Sequence, residues 1–202
     1  ELEENTKLLA GPGGIRYASQ EPELVITEYN PDFLDYYQVT SSREGETREL
    51  KEGRDYQVER TGTKDTWKTY RYQIGKENFE KEGIYLVTLY SEDRASNIST
   101  NRIKEKTVEF MVDKTKPSVV ITGVEENGKY RGYKREIQVD IKDQMILKGA
   151  RVYLNDECVA ESAQEDLREN HGFFTVTASK SDEWQSVKVE AWDAAGNVTK
   201  TE

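Results

Sequence analysis

The sequence predicts an all-β chain of two tandem antiparallel β-sandwiches joined by a short linker. Three observations carry that expectation. Apolar residues alternate at period two in many short runs, and long runs of period 3.6 are nearly absent. In addition, one turn phrase occurs twice, 100 residues apart. The later copy is Asp193-Ala194-Ala195-Gly196-Asn197 and the earlier is Asp93-Arg94-Ala95-Ser96-Asn97. Upstream, Val87 and Leu89 fall on Val187 and Val189, so the repeat includes the strand before the turn. A chain of 202 residues repeating at this interval divides into two units, each long enough to bury its own core. The expected boundaries are 1–113 and 114–202, with roughly the first 20 residues a lead-in and the last strand truncated.

In the first unit, Leu24-Val25-Ile26 and the aromatic run Tyr36-Tyr37-Gln38-Val39 read as strands. Tyr56 to Arg60 runs into turn residues at 61–65 and returns through Trp67 to Tyr70-Arg71-Tyr72-Gln73-Ile74, which is a hairpin. Tyr85, Val87 and Leu89 share one face of the clearest strand, and Val108 to Val112 should close the unit. Asp113-Lys114-Thr115-Lys116-Pro117 has no apolar side chain except its proline and reads as the linker. The second unit restarts at Val119-Val120-Ile121-Thr122, entered through Pro117 as Pro22 enters the first. Clean alternation follows at Ile137-Gln138-Val139-Asp140-Ile141. A hairpin is expected from Val152 to Val159 about Asn155-Asp156, then strands at 173–177 and 187–191. Residues 166–170 could make one helical turn.

Charge narrows the partner classes. The net charge is -10, with 16 Lys/Arg against 23 Asp/Glu up to residue 113 and 13 against 16 beyond it. No basic stripe emerges, so neither nucleic acid nor membrane contact is expected. Cys158 is the only cysteine, which excludes an intramolecular disulfide and reads as a small apolar strand residue. No stretch approaches membrane-spanning length. The chain is expected to be a fragment of a longer protein, with signal and anchor outside it.

Candidate chemistry is sparse. In both turn copies Asp can accept backbone N–H bonds from residues just ahead, and Gly196 and Asn197 tolerate positive φ. Asp93, Asn97, Asp193 and Asn197 therefore read as fastenings of a turn. Ca²⁺ is the alternative ligand, but it takes six to eight oxygens and each turn offers two side chains. No other cofactor or metal site is expected. His171 is the only histidine, in a polar Glu169-Asn170-His171-Gly172 stretch that reads as an exposed loop, so no His-dependent triad is built. No catalytic residue is assigned, and the chain is expected not to be an enzyme. Trp67, Trp192, Tyr130 and Tyr133 are the aromatic candidates for a ligand platform, weighed against ordinary half-buried packing.

The order of these motifs resembles the immunoglobulin-like domains of Gram-positive bacterial surface proteins. It consists of Val112-Asp113-Lys114-Thr115-Lys116-Pro117, a short apolar strand, a penultimate strand, and then Asp-x-Ala-(Gly/Ser)-Asn. Gly83-Ile84-Tyr85-Leu86-Val87 is similar to the approach to the strand that carries a tyrosine corner, whereas the second copy has Trp184-Gln185 there. The resemblance covers about residues 20–202. It implies an extracellular, cell-surface stalk, spacer or adhesion segment. Its partners would be neighbouring domains of the same chain and a host or cell-wall protein or glycan. The alternative is a carbohydrate-binding or accessory module of a secreted multidomain enzyme. Lys–Asn crosslinks occur in related domains, but Lys114, Lys116, Asn97 and Asn197 have no evident core address here.

Overall fold

Alternating apolar residues with turn residues between them build 17 strands among the described residues, and no α-helix. The computed structural model describes residues 7–30, 34–63, 68–94, 98–100, 108–163 and 170–202. The chain is all-β, and its four sheets are antiparallel apart from one strand pair and one isolated bridge. It divides into two compact units, Glu1–Asp113 and Lys114–Glu202.

The first unit contains β1 (Leu9–Ala10), β2 (Arg16–Ala18), β3 (Leu24–Asn30), β4 (Leu34–Arg43), β5 (Glu46–Leu50), β6 (Tyr56–Thr61), β7 (Lys68–Ile74), β8 (Gly83–Asp93), β9 (Ile98–Thr100) and β10 (Val108–Val112). One sheet runs β1-β2-β10-β8-β4-β5 with β9 also on β8, and the other runs β3-β7-β6. Their apolar faces meet in one core, where Tyr72, Ile74 and Leu24 from the smaller sheet face Val87, Phe110 and Val39 from the larger. Tyr72 is wholly buried with its ring edge-on to Tyr37 at 5.7 Å, and its hydroxyl donates to Glu28 at 3.2 Å. That bond lets a large polar-tipped ring occupy the core without stranding its hydroxyl.

Residues 9–10 and 16–18, within the expected lead-in, belong to the sheet: β2 lies parallel to β10, with Phe110 opposite Arg16 and Val112 opposite Ala18. The edge strand β5 escapes a sequence reading, because Leu50 is its one buried residue and four polar neighbours mask the period. The β4–β5 reversal has φ of 52° at Glu44 and 84° at Gly45, the primed geometry that matches strand twist.

Tyr85 is buried, and its hydroxyl donates to the Lys81 carbonyl four residues upstream at 2.8 Å. This is the geometry of a tyrosine corner, tying the start of β8 to the loop before it. Tyr85→Phe should remove about 1 kcal/mol from the first unit, lowering its Tm by about 4–8 °C. A thermal scan showing no shift would assign the corner no energetic role.

The second unit contains β11 (Ser118–Thr122), β12 (Lys134–Lys142), β13 (Leu147–Leu154), β14 (Glu157–Ala163), β15 (His171–Ser179), β16 (Val187–Asp193) and β17 (Val198–Thr201). Its sheets run β11-β12-β15 and β14-β13-β16-β17. Ile137, Val139 and Ile141 of β12 meet Leu147, Val152, Val189 and Ala191 of the facing sheet in a second core. Asn155 and Asp156 take positive φ, 51° and 64°, and close the β13–β14 hairpin. The anticipated helical turn at 166–170 falls largely outside the described residues.

Candidate functional site

Two places in the second unit gather polar or aromatic side chains at a structured location: the turn after β16, and a cleft at the opposite end of that strand. The turn is built by strand parity. Val189, Ala191 and Asp193 are successive inward residues of β16, so the strand delivers a carboxylate into the protein at its last position. Asp193 is 1% exposed. Its Oδ1 accepts from the Asn197 backbone N–H at 2.8 Å, and its Oδ2 from the Asn197 side-chain amide at 2.7 Å. The Asp193 N–H donates to the Asn197 carbonyl at 3.1 Å, and Gly196 takes φ of 90° to complete the reversal. Asn197 Nδ2 also reaches the Thr115 carbonyl at 3.4 Å, and the Thr199 hydroxyl donates to the Pro117 carbonyl. The turn thus fastens the strand end to the segment by which the chain enters this unit.

A second carboxylate stands beside it. On β12 the inward series Ile137, Val139, Ile141 continues to Asp143, which is 6% exposed. Its Oδ1 accepts from the Met145 N–H at 2.8 Å, while Ala194 N–H donates to Ile146 O at 3.0 Å, so loop and turn are joined through the backbone. Carboxylate oxygens of Asp143 and Asp193 lie within 4.8 Å of each other. Burial pushes the Asp193 carboxyl above its usual range; the bonds from Asn197 oppose this, and the charge of Asp143 adds to it. Two buried carboxylates at this separation are relieved either by a proton or by a cation.

For the sequence candidates, the geometry brings together Asp193 and Asn197. Asp93 is likewise buried at the inward end of β8, while Asn97 lies outside the described residues. Both oxygens of Asp193 are engaged within the turn, which favours fastening over coordination. Asp143 was missed, although its place two residues beyond Ile141 in an alternating series could have revealed it. The loop expectation for His171 is corrected: it opens β15, half-buried, and its Nε2 bonds Asp140, which also pairs with Lys142 at 3.0 Å. These contacts hold the Asp140 carboxyl below its usual range, the bond to His171 most of all. Cys158 is exposed on β14 rather than packed.

The aromatic candidates separate. Trp67 lies outside the described residues. Trp192 is half-buried, with Arg151 over its ring at 5.2 Å and Gly149 so close that a Cβ there would meet the indole at 2.3 Å. Of the two readings weighed for Trp192, these contacts favour half-buried packing. Tyr133 is 85% exposed, and Tyr130 43%. The most exposed tryptophan among the described residues is Trp184, at 67%, which the sequence singled out only as a departure from the repeat.

Tyr130 and Trp184 line one cleft of about 990 Å³. Its floor is the open end of the core, formed by Val119, Ile121, Val124, Leu154 and Val187. The loop before β12 with the first residues of that strand (125–135) and the loop 180–186 wall it. Among the described residues, no helix is long and apolar enough to cross a membrane. No family model matches the chain, and no curated protein matches it.

Proposed function

We propose that this chain is a non-catalytic extracellular module of a bacterial surface protein, acting as a stalk, spacer or adhesion segment. In this reading both units are immunoglobulin-like β-sandwiches in tandem, with neighbouring domains of the same chain as their first partners. Presentation to a host or cell-wall protein or glycan follows. The observation that carries the proposal is that each unit closes on a core of its own, with the division at Asp113–Lys114. Units that fold on separate cores can be strung in series, each holding tension through its own hydrogen-bonded strands. The tyrosine corner at Tyr85 and the repeated Asp-to-Asn turn support the family resemblance.

The test is mechanical. Stretched between handles at its two ends, the chain should release length in two separate steps. At about 3.3–3.6 Å per residue, less the folded extension, these should be roughly 35 nm for the first unit and 27 nm for the second. A single cooperative release of the whole length would rule out independent modules in series.

A further inference from the structure

We propose that the cleft at the end of the second unit, between residues 125–135 and 180–186, is a glycan-binding site. It would take a neutral pyranose oligosaccharide, with Trp184 as its stacking platform. The proposal is independent of the mechanical reading, because modules in series need bind no sugar and a sugar site need bear no load.

The first support is that the aromatic rings are exposed yet held in place. Tyr130 packs on Gly128, where a Cβ would meet its hydroxyl at 2.4 Å, so only glycine lets the ring lie on the backbone. The Arg135 guanidinium covers one face of the ring at 4.3 Å, and the Tyr130 hydroxyl accepts the Glu125 N–H. The loop of Trp184 is pinned just after the indole. Gln185 Nε2 donates to Ser179 O at 2.9 Å, and Ser186 N–H donates to Asn155 Oδ1 at 2.9 Å. Asn155 N–H returns to Ser186 O at 3.0 Å. The Lys129 ammonium stands 5.9 Å from the indole, a contact loose enough for a ligand to displace. Binding such a surface requires little ordering of the protein, which favours affinity.

The second support is the chemistry of the lining. A pyranose ring offers an apolar C–H face and a rim of hydroxyls that both donate and accept. A flat indole beside a shallow apolar floor complements the face, and the polar ends of both signs around it complement the rim. Lys129, Arg131 and Lys134 stand with Glu126, Asp182 and Glu183 on the cleft wall. Over the whole lining five Lys/Arg offset five Asp/Glu, which leaves no net field to select an anion. A volume of about 990 Å³ lies at the upper end of ordinary ligand sites, enough for several sugar rings.

An exposed indole above an apolar floor could instead receive an extended peptide along the edge strand β11, and the test separates the two. The full chain is titrated with gluco-, galacto-, manno- and N-acetylchito-hexaose, with sialylated and uronate oligosaccharides and an unstructured apolar peptide in parallel. Binding is read by calorimetry and by the Trp184 indole N–H resonance. The expected result is that at least one neutral hexaose binds. Trp184→Ala should weaken it by roughly tenfold or more, Trp184→Tyr should restore part of the loss, and Trp192→Phe should bind as wild type. Because Trp184 is exposed, its variants should melt with the wild type. Binding of no neutral oligosaccharide, of acidic oligosaccharides or the peptide alone, or equal binding by Trp184→Ala would overturn the proposal.

Discussion

Replacing Asp193 with alanine should destabilise the second unit by about 2–4 kcal/mol, because two donors on Asn197 lose their acceptors in a buried turn. The loss is moderated by relief of a buried charge beside Asp143, so the effect depends on pH. Burial raises the folded-state pKa of Asp193 above its unfolded value. A carboxyl shifted in that direction binds its proton more tightly when folded. Its contribution is fully present below the unfolded pKa and is lost as pH rises through the folded one. Acidifying from neutrality should therefore stabilise the second unit in wild type relative to Asp193→Asn, measured as the change in Tm from pH 7 down to the ordinary aspartate range at about pH 4. Equal slopes for the two proteins would remove Asp193 as the titrating group. The same scans with millimolar Ca²⁺ and with chelator test whether a cation takes the proton's place. A second-unit Tm indifferent to both removes Ca²⁺ from the site.

The first unit should respond to acid in the opposite direction through Asp55. The Arg54 side chain bonds its carboxylate and holds its pKa down, and the Lys51 N–H helps at 2.8 Å. That contribution exists above the unfolded pKa and fades as pH falls through the folded one.

Phe110→Ala should cost the first unit about 3–5 kcal/mol. Phe110 is fully buried where β10 meets β8, stacked on Tyr85 at 5.4 Å and edge-on to Phe79 at 5.1 Å. Removing it opens a cavity against two rigid rings that cannot both collapse inward. Since a domain of this size is stable by only about 5–15 kcal/mol, the loss is a large fraction of what holds the first unit folded. Urea titration of the full chain should move one transition to lower denaturant and leave the second unit's in place. A loss below about 1 kcal/mol would contradict the packing described, and a parallel shift of both transitions would contradict separate cores.

How much was legible followed from where each signal is stored. Period-two alternation is written in consecutive residues, so β8, β10, β12 and β16 can be located from the amino-acid order alone. Parity also carries the burial of Asp143 and Asp193, each one step beyond an inward apolar series, and of Asp93, which follows the buried Ser91 in the inward series of β8. Their polarity suggests loop residues, and only counting along the strand reveals otherwise. Strand β5 was hidden because an edge strand with one buried residue has no period to detect. The roles of the tryptophans were hidden for another reason. Whether an indole packs or protrudes depends on what lies across the sheet. Gly149 and Arg151 close on Trp192, whereas Trp184 has the flexible tip of Lys129 near its ring and stays largely exposed.

The sequence by itself determined the all-β class, the strands with inward alternation, and the turn in which Asn197 answers Asp193. These depend on residues within a few positions of one another. The tertiary structure alone decided the parallel docking of β2 on β10, the approach of Asp143 to Asp193, and the cleft that sets Trp184 above the open end of the second core. Each of these joins segments tens of residues apart in the chain. Such pairings follow from which faces remain to be buried once every strand has found its neighbours, and no local pattern records that outcome.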